Sequence, residues 1–279
     1  MKRIISLMLA ILTVFSLAGC SGLSSGEEKL KFKEAQGGYA LYRYKGSSDK
    51  TEFTVPDAYE GRPVVEILDF ALANAEYLTS ISIGKNIAAI GEWAFTNSSK
   101  LTQIKAHPEN SAFTDMDGVL YTEDMTELVA YPNGKTPLVL DAGGKITGGA
   151  EFVLPASVKK IRNNALYSCS NLYKVQFNNG LVEIGDKAFI KCANLQNFTL
   201  PGTLTKIGVD AFSFCDSLTA VTIPASVTEI GDYAFFAMSS GVKEVVIQRK
   251  DSEGMILGRD WLPKLKDTVN TKAEVKYIP

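Results

Sequence analysis

Cys169, Cys192 and Cys215 stand 23 residues apart in each step (192 − 169 and 215 − 192). A ladder of thiols at one spacing offers soft sulfur for a metal, or one disulfide with a free partner. The competing reading is a small buried side chain repeated because its slot repeats. Ser98 and Met238 fill the same slot, and no second ligand type is interleaved. The single histidine, His107, precedes Pro108 and has neither a partner histidine nor an HExxH or CxxC context. It reads as a surface loop residue, and acid–base chemistry near neutral pH has little to build on. Asp115-Met116-Asp117-Gly118 has the residue types of a calcium loop without its spacing of carboxylates. It reads as a turn whose aspartates bond their own backbone. The run GGKITGG, Gly143 to Gly149, lacks the GK[ST] of a phosphate loop, and no GxSxG occurs. Without a carboxylate pair set by the repeats, the chain is not read as an enzyme, and no cofactor or metal is expected.

The elements that would position any such residue are repeats. Leu172, Leu195 and Leu218 open near-identical phrases 23 residues apart, as do Leu78 and Leu101. A fixed period in this range means stacked units rather than a doubly wound fold. Each unit opens on an alternating stretch, in which Leu195, Phe198 and Leu200 point one way and Asn197 and Thr199 the other, the pattern of a half-buried strand. Pro155, Pro201 and Pro224 end that stretch because proline lacks a ladder donor. A second short apolar stretch closes on Gly91, Gly185, Gly208 or Gly231, a slot that demands positive φ or close backbone approach. Ala-Phe pairs follow, at Ala94-Phe95, Ala188-Phe189, Ala211-Phe212 and Ala234-Phe235. One unit cannot bury its apolar side alone, so stability becomes a nearest-neighbour sum with covered ends. After Ile104 the pattern is interrupted. Val119-Leu120-Tyr121 and Leu128 to Tyr131 flank a polar turn and predict a β-hairpin protruding from the stack.

The phrases LTAVTIPASVTEIGDYAF and LTSISIGKNIAAIGEWAF, from Leu218 and Leu78, resemble the BspA-type leucine-rich repeat of bacterial surface proteins. The insert DGVLYTED…LVAYPNGK resembles one that recurs in that family. The resemblance covers about 39–247. It implies an α/β-type but mostly β solenoid: a right-handed leucine-rich repeat stack with a parallel sheet on one face and an inserted β-hairpin at about 106–135. It also implies a role in attachment or recognition without specifying a ligand.

Lys2 and Arg3 precede an almost wholly apolar stretch, Ile4 to Leu17, too short for a comfortable membrane span and of secretory-signal length. Leu17-Ala18-Gly19-Cys20 resembles a bacterial lipobox, which implies cleavage before Cys20, lipidation of its thiol and a place on the outer face of a membrane. The division expected is a signal peptide over 1–19, a lipidated flexible tether over 20–30, an N-terminal cap over 31–52, the solenoid over 53–247 and a C-terminal cap over 248–279. In that last segment Trp261, Leu262 and Leu265 are expected to cover the final core, and Val275 to Ile278 to add a strand. A formal net charge of −2 gives no reason to expect nucleic acid, which demands clustered Lys and Arg.

What remains is surface. The outward residues of the stacked strands form two columns. One contains Ser80, Gln103, Glu151, Lys174, Asn197, Ala220 and Glu244; the other Ser82, Lys105, Val153, Gln176, Thr199, Thr222 and Val246. Small, polar and mixed in charge, this face suits a protein or polysaccharide partner, or is simply a solvated sheet face. Phe214, Tyr233 and Phe236 lie outside the repeated apolar slots and form a second candidate, an aromatic patch, unless they pack under the terminal cover. The leading expectation is a monomeric, lipid-anchored recognition module. The alternative is a structural or assembly component of the envelope, and an enzyme is a distant third.

Overall fold

A computed structural model describes residues 29–46, 48–236, 244–261 and 274–278. The expected signal peptide, Cys20 and most of the tether lie outside the described residues, as do Met238, Leu262 and Leu265. Among the described residues the chain is a mostly β solenoid with no helix. The α/β expectation is therefore corrected. The side opposite the longer strands is made of two-residue strands and turns.

Coils stack in parallel along two walls. One wall carries the two-residue strands Lys160–Ile161, Glu183–Ile184, Lys206–Ile207, Glu229–Ile230 and Ile256–Leu257, paired in register. The other carries the longer strands, and here the expected continuous sheet is broken into three pieces: Glu52–Thr54 with Ser80–Ile83 and Gln103–Ala106; Ala150–Val153 with Leu172–Gln176; and Ala220–Ile223 with Glu244–Ile247 and Glu274–Tyr277. No strand forms over 195–200. Phe198 packs edge-on against Phe177 (ring centroids 5.4 Å apart). The Asn197 Oδ1 atom accepts from the amides of Thr219 (2.9 Å) and Ala220 (3.2 Å) in place of a backbone carbonyl.

The repeated glycines serve close approach, not positive φ. A Cβ on Gly208 would meet the Asp186 amide nitrogen at 2.5 Å, and Gly91, Gly185 and Gly231 press equally on the coil before them. Positive φ falls two residues later, on Trp93 (61°), Asn164 (61°), Lys187 (56°), Asp210 (53°) and Tyr233 (58°). Asp or Asn just past this slot ties one coil to the next. Asp69 accepts from the Glu92 amide, Asn163 from Asp186 and Asp186 from Val209, at 2.8–2.9 Å.

The interruption after Ile104 does not protrude. Phe113–Met116, Val119–Thr122 and Glu127–Ala130 form an antiparallel meander, and Glu127–Ala130 pairs in parallel with Lys160–Ile161, so the meander carries the wall onward. Its first turn is Asp117-Gly118, both at positive φ (52° and 72°), the combination of a type I′ hairpin. The Asp115 carboxylate, expected to bond its own backbone, accepts instead from the Ala106 amide at 2.8 Å. Alternate residues of the meander face different cores. Val119, Tyr121, Leu128 and Tyr131 join the C-terminal core, while Leu120, Val129 and Ala130 join the N-terminal one. The meander is thus a partition inside the solenoid. A separate small hairpin, Val139–Leu140 with Ile146–Gly148, pairs only with itself and exposes Val139 and Leu140. The GGKITGG run supplies its return strand, and the Asp141 carboxylate caps its turn through the Gly143 and Lys145 amides, both 2.9 Å.

At the N-terminus, Lys29–Ala35 pairs with Gly38–Lys45, which in turn pairs in parallel with Arg62–Ile67. Ordered strand therefore begins inside the expected tether. At the other end the repeat continues past Ile247. Ile256–Leu257, Gly258 and Arg259 take the slots of Glu229–Ile230, Gly231 and Asp232, and the Phe235 amide donates to the Trp261 carbonyl at 2.9 Å.

Candidate binding cleft

Along the turn side, every regular coil donates alternate amides to the coil after it. Asn164, Leu166 and Ser168 donate to the carbonyls of Asp186, Ala188 and Ile190; Lys187, Phe189 and Lys191 donate to those of Val209, Ala211 and Ser213. The coil at 92–97 has no such neighbour, because the meander takes its place. Tyr131 donates to the Ala165 carbonyl at 2.8 Å, and the Asn133 side chain accepts from the Ser98 amide at 3.3 Å while donating to the Tyr167 carbonyl. Nearer the glycine slot nothing fills the space. The amides of Trp93 and Phe95 have no acceptor among the described residues.

The result is a cleft of about 230 Å³ between residues 90–96 and 160–167, floored by Val129, Ala130 and Tyr131. Side chains bridge its mouth. Glu92 accepts from the carboxamides of Asn163 (2.9 Å) and Asn164 (3.3 Å). Trp93 stacks on Phe70 (5.8 Å) and meets the edge of Tyr167 (4.7 Å). The Lys187 ammonium lies 5.6 Å from the Trp93 ring. At the far end Arg162 pairs with Glu127, and Lys160 with Glu183 at 3.3 Å. Asn164 is only 7% exposed, and its Oδ1 atom has no hydrogen-bond partner among the described residues. A buried acceptor left unpaired is costly enough to call for an explanation.

None of these residues was among those expected to bind. A signal did exist. Arg162 occupies the slot that glycine holds in the neighbouring repeats, which is tolerable only where no turn presses from below. That slot, directly after an interrupted period, marks the gap.

The expected sheet-face residues fall as follows. Lys105, Glu151, Lys174, Gln176, Asn197 and Thr199 are exposed, and Ser82, Gln103, Thr222 and Glu244 half-buried. Ser80 is the exception: it is 5% exposed, paired between Glu52 and Gln103. Lys174 is held by Glu151 and Lys276 by Glu244, both at 2.9 Å. The aromatic candidates do come together. Phe236 meets Tyr233 at 5.3 Å and Phe214 at 6.4 Å, and Phe214 and Phe236 are exposed. Phe214 and Tyr233 both sit at positive φ, where a bulky side chain costs about 1–2 kcal/mol.

The three repeat cysteines are free and buried. Cys192 and Cys215 each donate to a carbonyl, of Leu166 and Phe189 respectively, at 3.2 Å. Burial pushes the Cys192 thiol up to about 12, and lifts Cys169 and Cys215 well above the ordinary thiol range. They act as small apolar side chains. Unfolded thiols titrate near 8.5, so as pH rises the unfolded chain releases these protons first. Their contribution to stability is complete below about pH 8.5 and declines from there toward pH 12. Urea midpoints are expected to be flat between pH 7 and 8 and clearly lower at pH 10. A thiol reagent applied to the native chain should leave all three unlabelled, and labelling at the rate of a free cysteine would contradict their burial.

A family model described as "BspA type Leucine rich repeat region" matches in six copies over residues 42–120 and 147–253, leaving out 121–146, which hold the last strand of the partition and most of the small hairpin. Among solved structures, the pneumococcal vaccine antigen PcpA is similar at 15% identity and a TM-score of 0.56, over 92% of this chain and 88% of that one; this likeness concerns the fold. A leucine-rich repeat protein of T. pallidum matches at 21% identity and a TM-score of 0.42, over 85% and 89% of the two chains. A leucine rich cell surface protein of Faecalibacterium prausnitzii matches at 16% and 0.41, over 85% and 95%. A search of curated proteins finds no match.

Proposed function

Because this chain belongs to the BspA-type leucine-rich repeat family, we propose that it is a bacterial surface recognition protein, exported and held by a lipid on Cys20, that binds a protein or glycan as a monomer. Proteins of this family are typically found at bacterial surfaces. The apolar residues of each coil are spent on neighbouring coils, and the ligand-facing chemistry lies where the repeat is interrupted. The observation that carries the reading is the cleft at the partition, which leaves buried polar groups unpaired within a rigid wall. Anchoring rests on the Leu17-Ala18-Gly19-Cys20 sequence; among the described residues no helix is long and apolar enough to cross a membrane.

Two measurements test this. Cells expressing the full chain and fed a tagged fatty acid should label it, and Cys20→Ser should abolish the label. The purified protein should bind at least one member of a solid-phase panel of extracellular matrix proteins and glycans. Silence across that panel from a folded protein would remove the recognition reading.

A further inference from the structure

We infer that the cleft between residues 90–96 and 160–167 seats one neutral sugar residue, the terminal unit of a glycan. This deepens the recognition reading and rests on it. Charge comes first. The ionic groups at the far end are matched within the protein, Arg162 to Glu127 and Lys160 to Glu183, and the Glu92 carboxylate is turned to two carboxamides. At the mouth the Lys187 ammonium is set over the Trp93 ring, so the charges at both ends already have partners inside the protein. The unpaired groups are of both kinds: donors in the Trp93 and Phe95 amides, and a buried acceptor in Asn164 Oδ1. A hydroxyl both donates and accepts, and adjacent hydroxyls on one ring satisfy both kinds together. A carboxylate or an ammonium satisfies only one.

Size and rim agree with a ring. About 230 Å³ admits a single small unit rather than a chain. Trp93 and Tyr167 supply amphipathic aromatic surface at the mouth, against which the C–H groups of a sugar pack. An extended peptide fits less well. Pairing along the coil edge is already taken beyond Phe95, where Tyr131 engages the Ala165 carbonyl and Asn133 engages Ser98 and Tyr167. That leaves too short an edge for a strand.

The test uses the full chain purified in detergent. It is applied to arrays of neutral, sialylated and sulfated glycans and of peptides, then titrated with the methyl glycoside of the hexose that terminates the bound glycan. Asn164→Gly removes the acceptor yet suits the left-handed backbone at that position. Glu92→Gln keeps the shape and removes the charge. The expected result is binding to a neutral-terminated glycan, weakened at least tenfold by Asn164→Gly with the melting temperature preserved, weakened also by Glu92→Gln, and unchanged by Gly202→Ala, where an added methyl meets nothing. Neutral-glycan binding that survives both cleft variants would place the ligand elsewhere, overturning this inference while leaving surface recognition intact. Binding confined to acidic glycans or to peptides would overturn the sugar class alone. No binding on any array would remove both.

Discussion

Gly208→Ala is expected to lower the unfolding free energy by about 3 kcal/mol, at the upper end of what overpacking costs, whereas Gly202→Ala changes it by less than about 0.5 kcal/mol, as surface substitutions do. Gly208 does not need a left-handed backbone, so the usual argument for a conserved turn glycine is absent. Its amide donates to the Ile184 carbonyl at 2.8 Å, and an added Cβ would meet the Asp186 nitrogen and carboxylate oxygen at 2.5 Å and the Gly185 carbonyl carbon at 2.6 Å. Backbone cannot swing aside as a long side chain would. Relief would lengthen the Gly208 and Val209 bonds that tie this coil to the previous one, and those bonds set the coil spacing. Nothing lies within 4 Å of a Cβ at Gly202, which makes it the matched control. Urea denaturation of the two variants side by side measures the difference. Equal stability would show that the coils can separate at no cost, and the close-approach account would fail.

That same slot shows what was legible in the sequence and why the rest was not. The period and the Leu, Ile and Phe of the core are local and repeat, so each unit confirms the others. A glycine alone does not distinguish close approach from positive φ, because both remove the Cβ for different reasons; the positive φ lies two residues on, at Lys187 and Asp210. The strands of the partition alternate like any two-stranded ribbon and so predict a protruding hairpin. Only the non-local pairing of Leu128 with Ile161 reveals that both of its faces are buried. The break at 195–200 leaves no mark in its own unit either, since Phe152 holds the slot of Phe198 and keeps its strand. The cleft was missed for a related reason. Its residues, Glu92, Trp93, Asn163 and Asn164, are ordinary in their own repeats and become a site only because an insertion removes the coil that would have paired with them. Arg162 in a glycine slot was the one local mark of that absence.

Phe212→Ala should remove about 4 kcal/mol, within the usual range for a buried phenylalanine, and the loss should stay on one side of the partition. Phe212 is completely buried between Phe189 (5.0 Å, planes 10° apart) and Phe235 (5.3 Å, 6°), with Phe198 tilted against it at 4.9 Å. Truncation leaves a cavity that neighbours locked in a stack cannot fill. The two cores meet across the meander, whose Leu120, Val129 and Ala130 serve one and whose Tyr121, Leu128 and Tyr131 serve the other. Nearest-neighbour stability then predicts that coils 160–235 loosen while the N-terminal core keeps its protection. Hydrogen exchange read by mass spectrometry should show faster exchange in peptides from 165–235, with little change in those from 62–104. The urea transition should broaden as the two halves part company. Tyr121→Ala is the informative companion: lying on the partition itself, it should cost stability on its own side and also weaken the coupling. Uniform loss of protection along the whole chain with a single sharp transition would mean that the partition transmits rather than divides, and the description of two cores in series would have to be abandoned.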